Sequence, residues 1–218
     1  MPRNEGRSSA NVEIINLFPG SFASNCYLLE DHGHAVVVDP SASAAAILRR
    51  AEADGCTLDA ILLTHGHFDH ILSVDTLRDA LPHLKVYIHR ADAPLLTHSD
   101  KNAFATFFGK ERVWRAADEL MYDGQVLPVG EAALTVIHTP GHSPGSVCFL
   151  SEADGWMVTG DTIFAEDIGR CDLWGGSHTV MLQSLARLRT LDGRLTIYPG
   201  HGDTNRLSRA LDNATYYT

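Results

Sequence analysis

Short hydrophobic runs separated by polar breaks extend along most of the chain, and in the first half they predict strands alternating with helices. One helix is predicted over residues 44–53, because Ser41 or Ser43 can cap its first turn and Gly55 can end it. A second helix is predicted over residues 71–80, where hydrophobic residues recur at helical spacing. Strands are predicted at residues 12–17, 25–30, 35–39, 58–64 and 85–88.

The second half repeats the strand pattern after a middle segment, residues 89–120, which has no clear period and is predicted to be helical or irregular. A helix is predicted over residues 179–191 and a short one near the end of the chain. Because both halves place polar residues at strand ends, the pattern favours an α/β fold of two sheets packed face to face with helices outside. Strands are predicted at residues 125–129, 134–137, 146–150, 156–159 and 195–198.

Length and composition predict one domain. The chain has 218 residues, of which 44% are hydrophobic, and this is enough to bury a full core. We expect residues 12–218 to form the domain. Residues 1–11 are polar and are expected to be a flexible leader. They contain no hydrophobic run of the kind found in a signal sequence.

Charge and cysteine content bear on partners and compartment. The net charge of -10 and the pI of about 5.5 repel nucleic-acid phosphates and anionic lipid headgroups, so we expect neither a nucleic-acid nor a membrane partner. The four cysteines form no Cys-x-x-Cys pair, and a chain of this size does not need disulfides. These features predict a cytoplasmic protein and leave open whether it is a monomer or a homodimer.

The densest polar motif is Thr64-His65-Gly66-His67-Phe68-Asp69-His70, which directly follows a predicted buried strand. In an extended backbone, residues two apart point to the same side, so His65 and His67 can bind one ion together. Asp69 and His70, at the start of the next predicted helix, turn toward a second position. The alternative is a polar surface loop, and the recurrence of similar motifs downstream argues against it.

Three further motifs at glycine-rich strand ends supply similar side chains. His142 lies in a turn, residues 138–145, that contains two prolines and two glycines. Asp161 follows a glycine and offers a carboxylate able to bridge two ions, and His201 lies in the segment Pro199-Gly200-His201-Gly202. The four motifs together can fill two metal positions and leave room for water. Imidazole and carboxylate bind zinc, iron and manganese, so ligand type alone does not identify the metal.

These motifs resemble those of the metallo-β-lactamase superfamily, and within it the glyoxalase II group of hydroxyacylglutathione hydrolases. The resemblance covers about residues 12–203 and implies an αββα sandwich that holds two divalent metal ions, with zinc expected before iron or manganese. Asp39 is implied to support the ligands rather than to bind metal. The implied first site is His65, His67 and His142, the second is Asp69, His70 and His201, and Asp161 bridges the two.

The stretch from Gly160 to Gly176 resembles the glyoxalase II loop behind the bridging aspartate, and this implies that Arg170 contacts the substrate. A tyrosine expected two residues after the basic position is replaced by Asp172. The chain also ends soon after His201, without the helical extension that supplies glutathione contacts in higher organisms. It therefore resembles the short bacterial form, which leaves the identity of the thiol open.

The resemblance implies a reaction in which a hydroxide bridging two metal ions attacks a thioester, S-D-lactoylglutathione or a related acyl thioester. Asp69 is expected to orient this hydroxide as well as to bind metal, so Asp69 and Asp161 are the candidate catalytic residues. The main alternative is a persulfide dioxygenase with one iron held by His65, His142 and Asp161. Phosphodiester cleavage fits poorly with the acidic composition. A β-lactamase fits poorly with Asp161 at a position where those enzymes often use cysteine.

The remaining histidines and aromatic residues have structural interpretations. Cys171 is predicted to be a passive thiol, and His138 to support His142. Phe104, Phe107, Phe108 and Trp114 are predicted to pack in the core or in a lid. The histidines that fit no ligand spacing, and are predicted to lie on the surface, are His32, His34, His83, His89 and His98.

Overall fold

A computed structural model describes residues 12–18 and 23–214, which form an αββα sandwich of two six-stranded sheets packed face to face with helices outside. The predicted fold class is thereby confirmed. The predicted leader, residues 1–11, lies outside the described residues, as do residues 215–218 at the end of the predicted domain.

The first sheet contains six strands in chain order. The β1–β2 and β2–β3 pairs are antiparallel, whereas β3 to β6 run parallel to one another. The strands are β1 (Glu13–Asn16), β2 (Tyr27–Asp31), β3 (His34–Val38), β4 (Thr57–Leu62), β5 (Lys85–His89) and β6 (Glu119–Met121).

The second sheet has the order β12-β11-β10-β9-β8-β7. Its β10–β11 pair is parallel and its other pairs are antiparallel, so both sheets are mixed. The strands are β7 (Val126–Val129), β8 (Ala132–His138), β9 (Val147–Ser151), β10 (Trp156–Gly160), β11 (Thr196–Pro199) and β12 (Asn205–Arg206).

Six α-helices connect the strands in the described part of the chain, together with a one-turn 3-10 helix at Phe68–His70. None of these helices is both long and apolar enough to cross a membrane. The helices are α1 (Ala44–Ala53), α2 (Val74–Ala80), α3 (Ala93–Thr97), α4 (Phe104–Phe108), α5 (His178–Leu188) and α6 (Leu207–Asn213).

Alternation along the strands divides the core into three layers. In β3, Val36 and Val38 face the second sheet, while Val37 faces α1 and α2. In β9, Phe149 faces the first sheet and Leu150 faces the layer that contains α5 and α6. Burial on both faces explains why these strands read as continuous apolar runs in the sequence.

Local signals fixed most element positions, and the differences have identifiable causes. Ser43 is the residue that caps α1, because its hydroxyl accepts from the main-chain N–H of Ala46. Helix α2 begins at Val74, three residues later than predicted, because the 3-10 turn occupies the chain before it. The predicted helix 179–191 instead ends at Leu188. Strand β6 was missed within the segment 89–120, because it has only three residues and only Met121 is buried.

The prediction for His89 was wrong. This side chain is buried at the end of β5, and its ring stacks on the ring of His138 with centroids 4.0 Å apart. Burial lowers the pKa of His89 to about 4, so the ring is neutral at neutral pH. The other four histidines predicted to lie on the surface are exposed.

Candidate metal centre

The motif residues lie in loops at the carboxyl ends of strands from both sheets. The histidine-rich loop follows β4, His142 follows β8, Asp161 follows β10 and His201 follows β11. Carboxyl ends of neighbouring parallel strands meet at one edge of a sheet, which is where α/β proteins place their sites. A main-chain hydrogen bond from Val147 to Thr64 joins this edge of the two sheets.

Two glycines allow these loops to approach one another. A Cβ atom at Gly200 would collide with Oδ1 of Asp161 and with the ring of His70. Gly160 has a φ of 48°, and a Cβ there would lie 2.5 Å from the Thr64 hydroxyl. A side chain at either position would push apart the loops that carry the candidate ligands.

Three imidazoles converge at the first position. Nε2 of His142 lies 3.2 Å from Nε2 of His65 and 2.8 Å from Nδ1 of His67. All three side chains are buried, and their nitrogens lie within 4.8 Å of one another. This is the set that the family resemblance implied for the first metal.

The second position is formed by Asp69, His70 and His201. Oδ2 of Asp69 lies 3.2 Å from Nε2 of His201 and 3.8 Å from Nε2 of His70. Asp161 lies between the two sets, because its Oδ2 is 3.5 Å from Nε2 of His142 and 3.6 Å from Nε2 of His201. The chain thus brings together all seven side chains in the arrangement expected from the resemblance.

Asp39 orients two of the histidines, and both of its oxygens accept hydrogen bonds, although its carboxylate also lies within 4.8 Å of ligand nitrogens of His65 and His70. Its Oδ1 accepts from the main-chain N–H of Thr64, and its Oδ2 accepts from Nδ1 of His70 and from the Thr64 hydroxyl, at 2.8 Å and 2.6 Å. The Thr64 oxygen in turn lies 3.1 Å from Nδ1 of His65. Because Nδ1 of each ring carries the donated proton, Nε2 of His65 and of His70 points a lone pair into the site.

His142 is oriented in the same way by a different loop. Its Nδ1 donates to the main-chain carbonyl of Arg170 at 2.8 Å, which leaves Nε2 free to act as a ligand. His138, predicted to support His142, lies 2.9 Å through Nε2 from the carbonyl of Pro144, in the same turn as His142.

Sequence reasoning missed Asp92, which ties the first two ligand loops together. This carboxylate is buried, and it accepts from the Ser143 hydroxyl at 2.6 Å and from the main-chain N–H groups of Gly145 and Gly66 at 2.5 Å and 3.2 Å. Burial raises its pKa to about 6, against the effect of these hydrogen bonds. Its position before Ala93-Pro94 gives no sign of this role in the sequence.

Asn25 was missed as well, and it holds the loop of His201. Its side-chain amide donates to the carbonyls of Pro199 and Gly202, both at 2.9 Å, and its main-chain N–H donates to Gly200 at 2.6 Å. The bonded residues are about 175 positions apart in the chain, so local sequence patterns contain no signal for this contact.

The electrostatics favour a cation between the two sets. Burial lowers the pKa of His65, His67 and His142, the second of these to about 3, so these rings are neutral ligands. Burial also acts to lower the pKa of His70, but Asp161, Asp69 and Asp39 outweigh it and hold that pKa well above its usual value. The three carboxylates thus favour positive charge at His70, and a divalent cation bound at Nε2 would supply that charge in place of a second proton on the ring.

Two orphaned atoms fit the same interpretation. Nε2 of His70 and Oδ1 of Asp161 are buried 3.3 Å apart, and neither has a partner with hydrogen-bond geometry within the described part of the chain. Buried polar atoms without partners are costly in a folded protein, and a bound metal ion satisfies both. The donor set of five imidazoles and two carboxylates fits two divalent ions.

A cavity of about 610 Å³ opens beside the candidate ligands. Arg170 lines it, but its guanidinium is paired with the carboxylate of Asp172 at 2.6 Å and 2.8 Å. Cys171 is half-buried, and its thiol lies 3.3 Å from the carbonyl of Gly169. Burial raises the pKa of this thiol, which agrees with a passive role.

Comparisons with known proteins find relatives that span most of this chain. The "Uncharacterized protein ML0493" of Mycobacterium leprae is 38% identical, with 89% of this chain and 94% of that protein covered. The "Probable metallo-hydrolase YqgX" of Bacillus subtilis is 34% identical over 84% of this chain and 87% of its own length. The "Hydroxyacylglutathione hydrolase GloC" of Haemophilus influenzae is 29% identical over 88% and 91%.

Two solved structures match both the fold and the sequence. The BLEG-1 B3 metallo-β-lactamase is 34% identical, with a TM-score of 0.85 and coverage of 95% of this chain and 99% of that chain. TTHA1623 in a di-iron-bound form is 32% identical, with a TM-score of 0.80 and coverage of 94% and 100%. Residues 19–201 match the model of the metallo-β-lactamase superfamily. The chain therefore belongs to the metallo-β-lactamase superfamily and is a metallo-hydrolase of that fold.

Proposed function

We propose that this chain hydrolyses a small-molecule thioester, S-D-lactoylglutathione or a related acyl thioester, in the manner of glyoxalase II. The observation that carries the proposal is the complete pair of ligand sets facing one open cavity. The similarity to a hydroxyacylglutathione hydrolase over 88% of the chain supports thioesters as the substrate class. The proposed setting is the cytoplasm, with no nucleic-acid or membrane partner and with the chain as a monomer or homodimer.

In this proposal His65, His67 and His142 would hold one divalent ion, Asp69, His70 and His201 would hold the other, and Asp161 would serve both sites. Zinc is the proposed metal, and iron or manganese has the same ligand preference here. Bound ions would lower the pKa of a coordinated water to about 7 and polarise a carbonyl oxygen.

The protein's own groups have three tasks in this reaction. Asp69 lines the cavity as an ionised carboxylate, because His70 and His201 hold its pKa low against the effect of burial, and it orients the attacking water. Asp39 and the Arg170 carbonyl fix the histidine rings. Arg170 contacts the substrate at the cavity wall. The water oxygen bonds to the acyl carbon, the carbon–sulfur bond breaks, and a carboxylate and a thiol leave.

Two alternatives keep the same site. A persulfide dioxygenase needs only His65, His142 and Asp161 around one iron, whereas the second ligand set here is also complete, and this favours the hydrolase. β-Lactam hydrolysis is favoured by one observation, the 34% identity to the BLEG-1 B3 metallo-β-lactamase over nearly the whole chain. Both alternatives predict products that a thioester assay does not detect.

The test is an assay of thiol release from S-D-lactoylglutathione by zinc-loaded protein, with hydrolysis of a chromogenic cephalosporin measured on the same sample and oxygen uptake on glutathione persulfide measured on iron-loaded protein, because zinc has no redox chemistry. We expect thioester turnover that Asp161→Ala abolishes and that Asp59→Ala, which changes an exposed aspartate far from the site, leaves intact. Metal-loaded protein that hydrolyses no thioester would refute the proposal, and activity in one of the other assays would replace it.

A further inference from the structure

The cavity beside the metal centre has two chemically different walls. One wall is polar and consists of candidate ligands, among them Asp69, Asp161 and His201. The other wall is apolar and comes from three separate segments of the chain. It is formed by Phe68, Phe107, Phe108, Phe164, Ile168 and Leu173.

The apolar wall is an ordered aromatic cluster rather than a chance grouping. The buried ring of Phe68, inside the ligand motif, lies 5.7 Å from the ring of Phe107 and 5.4 Å from that of Phe108. The ring of Phe164, which also lines the cavity, lies 6.1 Å from the ring of the candidate ligand His201. Edge and tilted contacts of this kind hold aromatic rings in defined positions.

Two members of this wall are unusually exposed for their size. Phe107 is 54% and Phe108 is 45% accessible to solvent, although both belong to the short helix α4 at the cavity. Exposed aromatic surface that is concentrated at a concave site marks a surface that a ligand covers. Of the two structural roles predicted for these residues, core or lid packing, their exposure argues against the core, and it makes their rings accessible to an incoming apolar group.

The charges around the cavity do not suit glutathione, which carries two carboxylates and an ammonium group. Among the described residues that line the cavity, Arg170 is the only one with a lysine or arginine side chain, and its guanidinium is already paired with the carboxylate of Asp172. Nearby, Lys101 lies over the ring of Trp174 and Arg112 lies over the ring of Trp114, at 4.8 Å and 4.5 Å. A thiol that carries two carboxylates has to displace one of these contacts in order to gain a cationic partner.

We infer that the substrate carries an apolar group, aromatic or branched alkyl, next to the thioester, and that Phe107 and Phe108 are the residues that select it. The inference rests on the proposed thioester hydrolysis and narrows its substrate class. The apolar group belongs to the acyl or to the thiol half of the substrate, and both halves lie within reach of a cavity of this size. The reaction consumes one water: its oxygen bonds to the acyl carbon as the carbon–sulfur bond breaks, one of its protons passes to the leaving sulfur, and the other is released to solvent, so the products are a carboxylate, a thiol and a proton.

The substrate test compares four thioesters at matched metal loading, with each rate divided by its hydroxide-catalysed rate. S-D-lactoylglutathione is the anionic reference and S-D-lactoyl-N-acetylcysteamine the neutral one. S-phenylacetylglutathione carries an apolar acyl group, and the D-lactoyl thioester of 2-phenylethanethiol carries an apolar thiol. We expect kcat/KM for at least one apolar substrate to exceed that for both references by about tenfold or more. Whether the preferred substrate carries its ring on the acyl or on the thiol half shows which half the apolar residues recognise.

The residue test uses the double variant Phe107→Ala/Phe108→Ala. The ratio of kcat/KM between the preferred apolar substrate and S-D-lactoyl-N-acetylcysteamine should fall by about fivefold or more, because the variant lacks the two aromatic rings that would cover the apolar group of the substrate. Tyr122→Ala is the matched control, since this aromatic residue is 60% exposed at the end of β6, outside the cavity. It should leave the ratio unchanged. Metal content and melting temperature verify that the variants are folded.

A binding measurement separates this inference from the proposed function. Calorimetric titration with phenylacetate, one of the hydrolysis products, should give a Kd about tenfold lower than titration with D-lactate, and the double variant should lose the difference. Equal or better turnover of S-D-lactoylglutathione, unaffected by the phenylalanine substitutions, overturns the inference and leaves the proposed function standing. If no thioester is hydrolysed, the proposed function fails. In that case, binding of phenylacetate that depends on Phe107 and Phe108 still supports an apolar ligand in the cavity. If phenylacetate does not bind in this way, the inference fails together with the proposed function.

Discussion

The carboxylate of Asp39 accepts a hydrogen bond from Nδ1 of His70 at 2.8 Å, and both residues are buried. This contact fixes which nitrogen of His70 carries the proton, and therefore which one faces Asp161 and Asp69. Asp39, at the end of β3, thus determines which nitrogen the candidate ligand His70, in the loop after β4, presents to the metal centre. The same carboxylate reaches His65 through the Thr64 hydroxyl, so one aspartate orients a ligand of each set.

Asp39→Asn should therefore weaken metal binding without removing a ligand. The amide of the variant places N–H donors opposite His70 or the Thr64 hydroxyl, which also donate, and we expect a loss of about 10-fold to 100-fold in metal affinity. Competition with a chromophoric chelator measures it. Asp59→Asn is the control, because Asp59 makes a contact of the same length, 2.8 Å, with His34 on the exposed surface. Equal affinities for wild type and Asp39→Asn would contradict this role.

Gly200→Ala should displace ligands by steric contact alone. The added methyl group meets the carboxylate of Asp161 and the ring of His70, so we expect loss of most of the bound metal. Gly202→Ala separates this effect from backbone strain. Gly202 has a φ of 76° with open space around its Cβ position, so its substitution should cost about 1 kcal/mol of stability and keep the metal. Metal analysis and thermal unfolding of both variants provide the comparison.

Asp92 should give the protein a specific pH dependence of stability. Burial raises its pKa from the ordinary 3.8 to about 6, so the folded state prefers the protonated carboxyl. Its contribution to stability is complete below about pH 4 and is lost as the pH rises through about 6. Asp92→Asn lacks this titration and also loses acceptors for Gly66, Gly145 or Ser143, which destabilises it by about 1–3 kcal/mol at low pH.

The measurement for Asp92 is urea unfolding of the metal-free chain at about pH 4 and about pH 7. The difference in unfolding free energy between wild type and Asp92→Asn should shrink by about 2–3 kcal/mol toward the higher pH. Other titrating groups are common to both chains and cancel in this difference. A difference that stays constant across this range means that Asp92 keeps an ordinary pKa.

Arg170→Ala should raise KM more than it lowers kcat. The side chain lies at the cavity wall with its guanidinium 5.9 Å from the ring centroid of Phe107, while the contact to His142 comes from the main chain and survives the substitution. Steady-state kinetics with S-D-lactoylglutathione, whose carboxylates can pair with the guanidinium, checks the split, and Arg194→Ala, which changes an exposed arginine paired with Asp192, is the control. A defect confined to kcat would place Arg170 in the chemistry instead.

The ligand motifs were readable from sequence because their spacing determines their geometry. His65 and His67 lie two residues apart in an extended loop, and Asp69 and His70 follow at the turn, so local backbone conformation brings them together. The strand-end positions of His142, Asp161 and His201 were also visible, because glycine and proline mark the ends of apolar runs. The αββα arrangement came from the same runs and from the family resemblance.

Contacts between segments that are distant in the chain could not be predicted from the sequence. Asn25 and Asp92 are each isolated polar residues in the sequence, and only the packing of the two sheets places them beside the ligand loops. The pairing of Arg170 with Asp172 was not predicted either, although Asp172 was noted as a departure from the family pattern. His89 was misplaced for the same reason, since its burial depends on stacking against His138 from the other sheet.

We propose that seven side chains hold two divalent ions, and metal analysis by mass spectrometry, on protein purified without added metal and on the same protein after zinc loading, tests this proposal. We predict close to two zinc ions per chain after loading, and clearly fewer for Asp161→Ala, because that carboxylate lies within 3.6 Å of Nε2 of both His142 and His201. A wild-type chain that saturates at one iron ion, and that takes up oxygen with a persulfide but hydrolyses no thioester, would refute both the two-ion site and the proposed thioester hydrolysis.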